Sequence, residues 1–267
     1  MSTFRNTDPA YLLGRQYRDS SNLEARMELH ERFSSNHYGW PRWVFDQLKL
    51  EPGRRVLELG SGTAALWQAN RERIPVDSTI TLSDLSPGMQ RAAREQLGPL
   101  ANRFQWAIID AQAIPYDAQS FDVVIANHML YHVPNRALAF GEIRRVLRAD
   151  GVLYAATNGE AHMHELDELL FASAPEARSD DTAENFSLEN GEAQLRRHFP
   201  QAVVSRYPDS LEVTTPEPLL RYLMSTSARE LLNEQRLSQM STSIEAEIAA
   251  HGAFHVTKVT GLFTASR

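Results

Sequence analysis

The chain has 267 residues, 42% of them hydrophobic, enough for one large domain with a real core. Its 34 acidic against 27 basic side chains leave a net charge of −7, which repels phosphate backbones and argues against a nucleic-acid partner. The absence of cysteine excludes disulfides and thiolate chemistry. No apolar run reaches the ~18 residues that would span a bilayer, so no membrane association is expected. Met1-Ser2-Thr3-Phe4-Arg5-Asn6 lacks a basic segment followed by an apolar one, so no secretory leader is expected and a cytoplasmic location is.

Residues 1–50 read as a helical N-terminal cap. Ser21-Asn22-Leu23-Glu24 fits a capping box, and Leu23, Met27 and Phe33 continue it as a partial apolar stripe. A second helix is expected from Trp40 to Leu48, with Pro41 in its first turn, before the turn signal Glu51-Pro52-Gly53.

From residue 51 to 160 strands and helices alternate. Strands are expected at Val56–Leu59, Thr79–Ser83, Phe104–Ile109, Phe121–Ala126 and Val152–Thr157. Helices are expected at Ala64–Arg73, Pro87–Leu97 and Asn135–Arg148. Such alternation implies a parallel sheet covered by helices. Residues 161–267 read as the C-terminal part of the same domain. It has a helix at Ala161–Phe171, an irregular acidic stretch over 172–190, a strand at Val203–Tyr207, a helical insert over 216–250 and a last strand at Phe254–Thr264.

In open parallel sheets ligands bind at the carboxyl ends of the strands, where strand order reverses. Here the first strand ends in Glu58 and the bend Gly60-Ser61-Gly62, the second in Asp84, the third near Asp110 and the fourth in Asn127. Asp84, about 24 residues beyond Gly60, points to a nucleoside-containing cofactor. A dinucleotide site would want G-x-G-x-x-G, and here the third glycine is replaced by Ala65. Glu58 argues further against pyrophosphate, because a carboxylate two residues before the first glycine repels phosphate and suits a cation.

These blocks resemble the class I S-adenosylmethionine-dependent methyltransferases, in the small-molecule branch called methyltransferase type 11. The resemblance runs from Val56 to Asn158 through five motifs: Val56-Leu57-Glu58-Leu59-Gly60-Ser61-Gly62-Thr63, Ser83-Asp84-Leu85-Ser86-Pro87-Gly88-Met89, Asp110-Ala111-Gln112-Ala113-Ile114-Pro115-Tyr116, Ser120-Phe121-Asp122-Val123-Val124 and Glu142–Gly151. It implies an α/β Rossmann-like fold, with a mostly parallel seven-stranded sheet between helices, a helical N-terminal lid and a helical insert before the last strand. It also implies S-adenosylmethionine as cofactor and a small molecule as methyl acceptor.

The same resemblance implies roles. Glu58 lies near the methionine amino group. Gly60, Ser61 and Gly62 let the backbone meet methionine and ribose. Asp84 accepts both ribose hydroxyls, Leu85 and Met89 pack on adenine, and Asp110 with the N–H of Ala111 reads the adenine edge. Asn127 offers its backbone carbonyl near the methionine end. In related enzymes N-terminal helices cover the cofactor, which makes Tyr17 and Arg26 the candidates for its carboxylate. The family often has glycine where Ala64 stands.

Displacement at a sulfonium methyl needs alignment and exclusion of water more than a catalytic side chain, although a base helps a protonated acceptor. His128 and His132, after the fourth strand, are the base candidates. His162, His164 and Glu165 are too weak a pattern to claim a metal, and none is expected. The aromatic residues Tyr11, Tyr17, His37, Tyr38, Trp40 and Trp43 are either a lid over the cofactor or packing against the sheet's edge. Two other readings stand beside the main one: a methyltransferase acting on a macromolecule, and a non-catalytic S-adenosylmethionine-binding regulatory or partner protein. The acceptor and the oligomeric state are not readable from the sequence.

Overall fold

The structure is a computed structural model that describes residues 7–18, 20–177 and 182–267. The N-terminal residues 1–6, and the middle of the acidic stretch 172–190, lie outside the described residues. Seven strands form one sheet: β1 (Arg55–Leu59), β2 (Thr79–Ser83), β3 (Gln105–Ala107), β4 (Phe121–Asn127), β5 (Leu147–Asn158), β6 (Gln201–Val213) and β7 (Phe254–Ser266). Their order is β3-β2-β1-β4-β5-β7-β6. The pairs β1–β2, β1–β4, β2–β3 and β4–β5 are parallel, and β7 runs antiparallel to both β5 and β6. Strand order reverses between β1 and β4, which opens a crevice at their carboxyl ends.

The central strands are apolar on both faces because helices cover both. In β1 Val56 and Leu57 are fully buried, and β4 is buried from Phe121 to Ala126. On one face Leu57, Val124 and Leu153 pack with Phe140 and Ile143 of the helix Arg136–Val146. On the other, Val56, Ile80 and Ile125 pack with Trp67, and with Val44 and Phe45 of the helix Trp40–Gln47. A third cluster joins Leu29 of the helix Ser21–Phe33 to Leu211, Val213, Leu219, Met240 and Val256. The N-terminal helix is therefore built into the C-terminal part of the molecule.

Several expected elements shift. The helix expected over 64–73 stops at Ala69, because the buried Asn70 turns its amide onto the carbonyls of Leu66 (2.8 Å) and Pro41 (3.0 Å). Ser21 is the first helical residue and not the cap; the cap position is Ser20, whose side chain makes no capping bond. β6 runs far past Tyr207. It is an edge strand, where the missing N–H of Pro208 leaves no ladder bond broken on the outer side.

Candidate functional site

A cavity of about 770 Å³ opens at the carboxyl ends of β1, β2 and β4. Its walls include all fourteen residues singled out from the sequence: Tyr17, Arg26, Glu58, Gly60, Ser61, Gly62, Asp84, Leu85, Met89, Asp110, Ala111, Asn127, His128 and His132.

The bend after β1 is shaped by backbone demands. Gly60 sits at φ +65°, and a Cβ there would stand 2.7 Å from Cβ of Met129. The Ser61 N–H donates to the Ser83 carbonyl (2.8 Å), tying the bend to the end of β2. Ala64 takes the left-handed conformation (φ 61°) before the short helix Ala65–Ala69, so here the residue that replaces a frequent glycine keeps a glycine-like backbone.

Each carboxylate is held by neighbours. Glu58 accepts from the Trp67 indole N–H at 2.5 Å and from the Asn127 side chain. Burial nevertheless pushes its carboxyl up to about 7, helped by the nearby Asp84. Asp84 accepts the Gly62 N–H (3.0 Å) through one oxygen and the Ser86 N–H (2.8 Å) through the other. Burial raises its carboxyl too, against the pull of these N–H groups. A carboxylate offers about four lone-pair sites, so Asp84 retains capacity toward the cavity beyond the backbone N–H groups it already accepts. Asp110 is more open and accepts the Gln112 N–H at 2.9 Å.

Among the described residues, four buried polar atoms of the cavity wall have no partner: Oγ of Ser61, Oδ1 of Asn127, Nη2 of Arg26 and Nδ1 of His30. Such atoms are expensive inside a protein unless a ligand pairs with them. Acceptors at Ser61 and Asn127 beside the Glu58 carboxyl suit an ammonium, and the Arg26 donor suits a carboxylate. Ser61, Asn127 and Arg26 together therefore fit an amino-acid moiety next to a nucleoside.

The N-terminal segment is fastened to the rim. Ser86 caps the helix Pro87–Leu97 through the Met89 N–H (3.2 Å) and donates its hydroxyl to the Tyr17 carbonyl (2.7 Å). The Tyr17 hydroxyl lies 3.0 Å from Nε2 of His132, so these two residues, expected to act separately, bond each other. The Arg26 guanidinium lies 5.7 Å from the Tyr17 ring centre and donates to the Asn22 carbonyl.

Among the wall residues that sequence reasoning missed are His30, Tyr207, Tyr222 and Lys258. Lys258 had a signal, being one of only two lysines in the sequence and set within an alternating apolar strand. The 216–250 insert sends only Tyr222 to the cavity; most of that wall comes from β6, β7 and the turn after β5. His164 turns away, toward the Ala161 carbonyl and Glu165, while Glu165 holds Thr257. Among the described residues no cluster of three His, Asp or Glu suits a metal.

Residues 57–155 match the family described as a methyltransferase domain. They form a class I S-adenosylmethionine-dependent methyltransferase domain. Over 117 residues the chain is 32% identical to the ubiquinone/menaquinone biosynthesis C-methyltransferase UbiE of Xanthomonas oryzae, covering 43% of this chain and 46% of that protein. It is 34% identical over 151 residues to the malonyl-[acyl-carrier protein] O-methyltransferase of Geobacter sulfurreducens, 55% of each. The chain thus spans about half the length of the curated relatives it matches. A putative methyltransferase from an antibiotic biosynthesis pathway of Anabaena variabilis shares the fold, with a TM-score of 0.61 at 17% identity over 84% of this chain and 96% of that one. The phosphoethanolamine N-methyltransferase 2 of Haemonchus contortus does so with a TM-score of 0.58 at 17% identity, over all of this chain and 60% of that one.

Proposed function

We propose that the protein transfers the methyl group of S-adenosylmethionine to a small-molecule acceptor, at oxygen, nitrogen or carbon, by in-line displacement. One observation carries the reading: Glu58, Asp84 and Asp110, from the ends of neighbouring strands, line a single cavity together with the orphaned atoms of Ser61 and Asn127. Bound there, S-adenosylmethionine supplies an electrophilic methyl on a sulfonium sulfur.

The chain's own residues bind, orient and exclude water. Glu58, with the Asn127 side chain, receives the methionine ammonium. Arg26 pairs with the methionine carboxylate, and Tyr17 steadies Arg26. Gly60, Ser61 and Gly62 bring backbone and hydroxyl against methionine and ribose. Asp84 accepts the two ribose hydroxyls, Leu85 and Met89 pack on the adenine, and Asp110 and the Ala111 N–H read its edge. His128 and His132 face the acceptor. We read residues 1–50 as the cap, 51–160 as the cofactor-binding core and 161–267 as the part that completes the acceptor pocket.

Three facts support a small acceptor in cytoplasmic metabolism. The relatives named above include a ubiquinone/menaquinone biosynthesis C-methyltransferase and a malonyl-[acyl-carrier protein] O-methyltransferase. The net charge of −7 disfavours nucleic acid. No described helix is long and apolar enough to cross a membrane. Calorimetry with S-adenosylmethionine and its demethylated product, followed by transfer of labelled methyl into a metabolite pool, tests the proposal. Folded protein that takes up neither compound would overturn it.

A further inference from the structure

One part of the cavity wall, its second arm, is built from segments far apart in sequence. Three imidazoles line it: His30 from the N-terminal helix, His128 just past β4 and His162 just past β5. His128 is held in the left-handed region (φ 49°), with its N–H on the Ala156 carbonyl (3.1 Å), a strained backbone that persists only because its surroundings impose it. Its ring centre lies 5.3 Å from that of Trp40. His30 and His162 lie 6.3 Å apart, centre to centre.

These rings are donors in search of acceptors. His162 uses Nδ1 to accept the Val259 N–H at 3.2 Å, which leaves its proton on Nε2. Nδ1 of His30 is buried and has no hydrogen-bond partner among the described residues. Burial, and then the charge of Lys258, pull His30 down to about 3 and His128 to about 4. Burial likewise holds His162 well below the usual histidine range. All three are neutral near pH 7. Imidazoles so reluctant to take a proton are weak bases, but each still offers an N–H.

The charge beside them is oriented. The Lys258 ammonium pairs with Asp209, and Asp209 is further satisfied by the Ser34 hydroxyl and the Asn36 N–H (3.0 Å). Lys258 lines the cavity and Asp209 does not. The arm therefore faces the positive end of the pair. The Tyr207 ring meets Trp40 edge-on at 5.5 Å, which makes that wall aromatic.

We propose that this arm takes the methyl acceptor as an oxyanion, a small planar carboxylate or phenolate, held by Lys258 and by the N–H groups of the histidines and packed against Trp40. The inference rests on the methyl-transfer reading of the site and names its substrate class. Cationic amines are disfavoured in the arm by Lys258. His128 then binds and orients the acceptor through its N–H, since an acceptor that arrives ionised needs no base.

The experiment uses full-length protein saturated with S-adenosylhomocysteine, whose uptake is first measured by calorimetry on the same preparation. Four probes follow by tryptophan fluorescence: benzoate, benzamide, benzylamine and 4-nitrophenol, the last also by its absorbance. Benzoate is expected to bind ten-fold or more tighter than benzamide or benzylamine, the scale of a charge-assisted hydrogen bond. Bound 4-nitrophenol is expected to ionise about one pH unit below the free compound. The ratio of benzoate to 4-nitrophenolate affinity tells whether a carboxylate or a phenolate is preferred. The double variant Lys258→Met with Asp209→Asn should erase the anion preference, and His30→Leu should reduce it several-fold, both with S-adenosylhomocysteine affinity unchanged. If the double variant does not fold, His30→Leu carries the test. No uptake of S-adenosylhomocysteine sinks the methyl-transfer reading itself. Uptake combined with equal or better binding of benzamide or benzylamine, with nitrophenol bound neutral, or with no probe bound overturns the oxyanion inference alone.

Discussion

The two arms of the cavity are made in opposite ways. Apart from Arg26 and Tyr17, the cofactor arm comes from a run of some seventy residues, Glu58 to Asn127, and its chemistry sits at successive strand ends: carboxylates, a glycine bend and backbone groups. The histidine arm gathers residues 30, 40, 128, 162, 207 and 258 from across the chain. Burial works on both, with opposite sign. It raises Glu58 and Asp84 and lowers His30, His128 and His162. Each arm thus suppresses its own ionisation until a counter-charge arrives, a cation in the first and, on our inference, an anion in the second. Two partners of opposite charge are what displacement at a sulfonium brings together.

The largest separation of the arms is expected from Asp84→Ala. It removes the acceptor of two ribose hydroxyls, and two charge-assisted bonds amount to roughly a hundred-fold in affinity. Calorimetry should show that loss for S-adenosylmethionine, with the fold intact by circular dichroism. An unchanged affinity would remove Asp84 from the ribose role.

Glu58 makes a prediction in pH. Its carboxyl titrates about 7, so below neutrality a bound ammonium must first expel a proton. Cofactor affinity should fall about ten-fold from pH 8 to pH 6, and Glu58→Gln should flatten that dependence while weakening binding at pH 8. Stability runs the other way. The folded group titrates about 7 against an ordinary 4.5, so the stability it contributes is full below 4.5 and is lost as pH rises through 7. Ligand-free Glu58→Gln should therefore be more stable than the parent at pH 8, by up to about 3 kcal/mol. A variant no more stable in denaturant titration would show that the carboxyl is not strained when ionised.

The histidine arm answers with the opposite limb. Groups lowered below 6.5 favour the folded state above that value and lose the advantage as pH falls toward 4 and 3. The parent should start to lose stability just below 6.5, and His30→Leu should shift its acid-unfolding midpoint to lower pH by a fraction of a unit. Identical acid limbs in the two proteins would mean that His30 is not desolvated.

This contrast also explains what the sequence could tell. The α/β fold and the wall positions from Glu58 to His132 were legible because each motif is local: a strand, its terminal carboxylate and the bend that follows. The antiparallel reach of β6 beyond Tyr207 was hidden by Pro208, a residue that an edge strand tolerates. His30 was illegible because its helix carries a weak apolar stripe, and only the contact of Leu29 with Leu211 and Val213 decides which face looks inward. Lys258 was visible as a rare lysine, but its partner lies 49 residues upstream on a neighbouring strand. Pairings of that kind are set by register, which no local pattern prints.

The smallest effect is expected where the N-terminal cap meets the rim. Tyr17 and His132 share one neutral hydrogen bond of 3.0 Å, half-buried. Such a bond contributes about 0.5–1.5 kcal/mol, so Tyr17→Phe should change turnover or cofactor affinity by two- to ten-fold at most. The Ser86–Tyr17 bond uses the backbone carbonyl and survives the substitution, which keeps the segment in place. The two roles open to His132 are then separable by kinetics. If it only latches the cap, Tyr17→Phe and His132→Gln should have equal effects, and the double variant should be no worse than either single one. If it faces the acceptor, His132→Gln should lower turnover well beyond Tyr17→Phe while leaving S-adenosylmethionine affinity alone. A double-mutant cycle in labelled-methyl transfer decides between them, because the coupling energy is the whole effect in the first case and a minor part of it in the second.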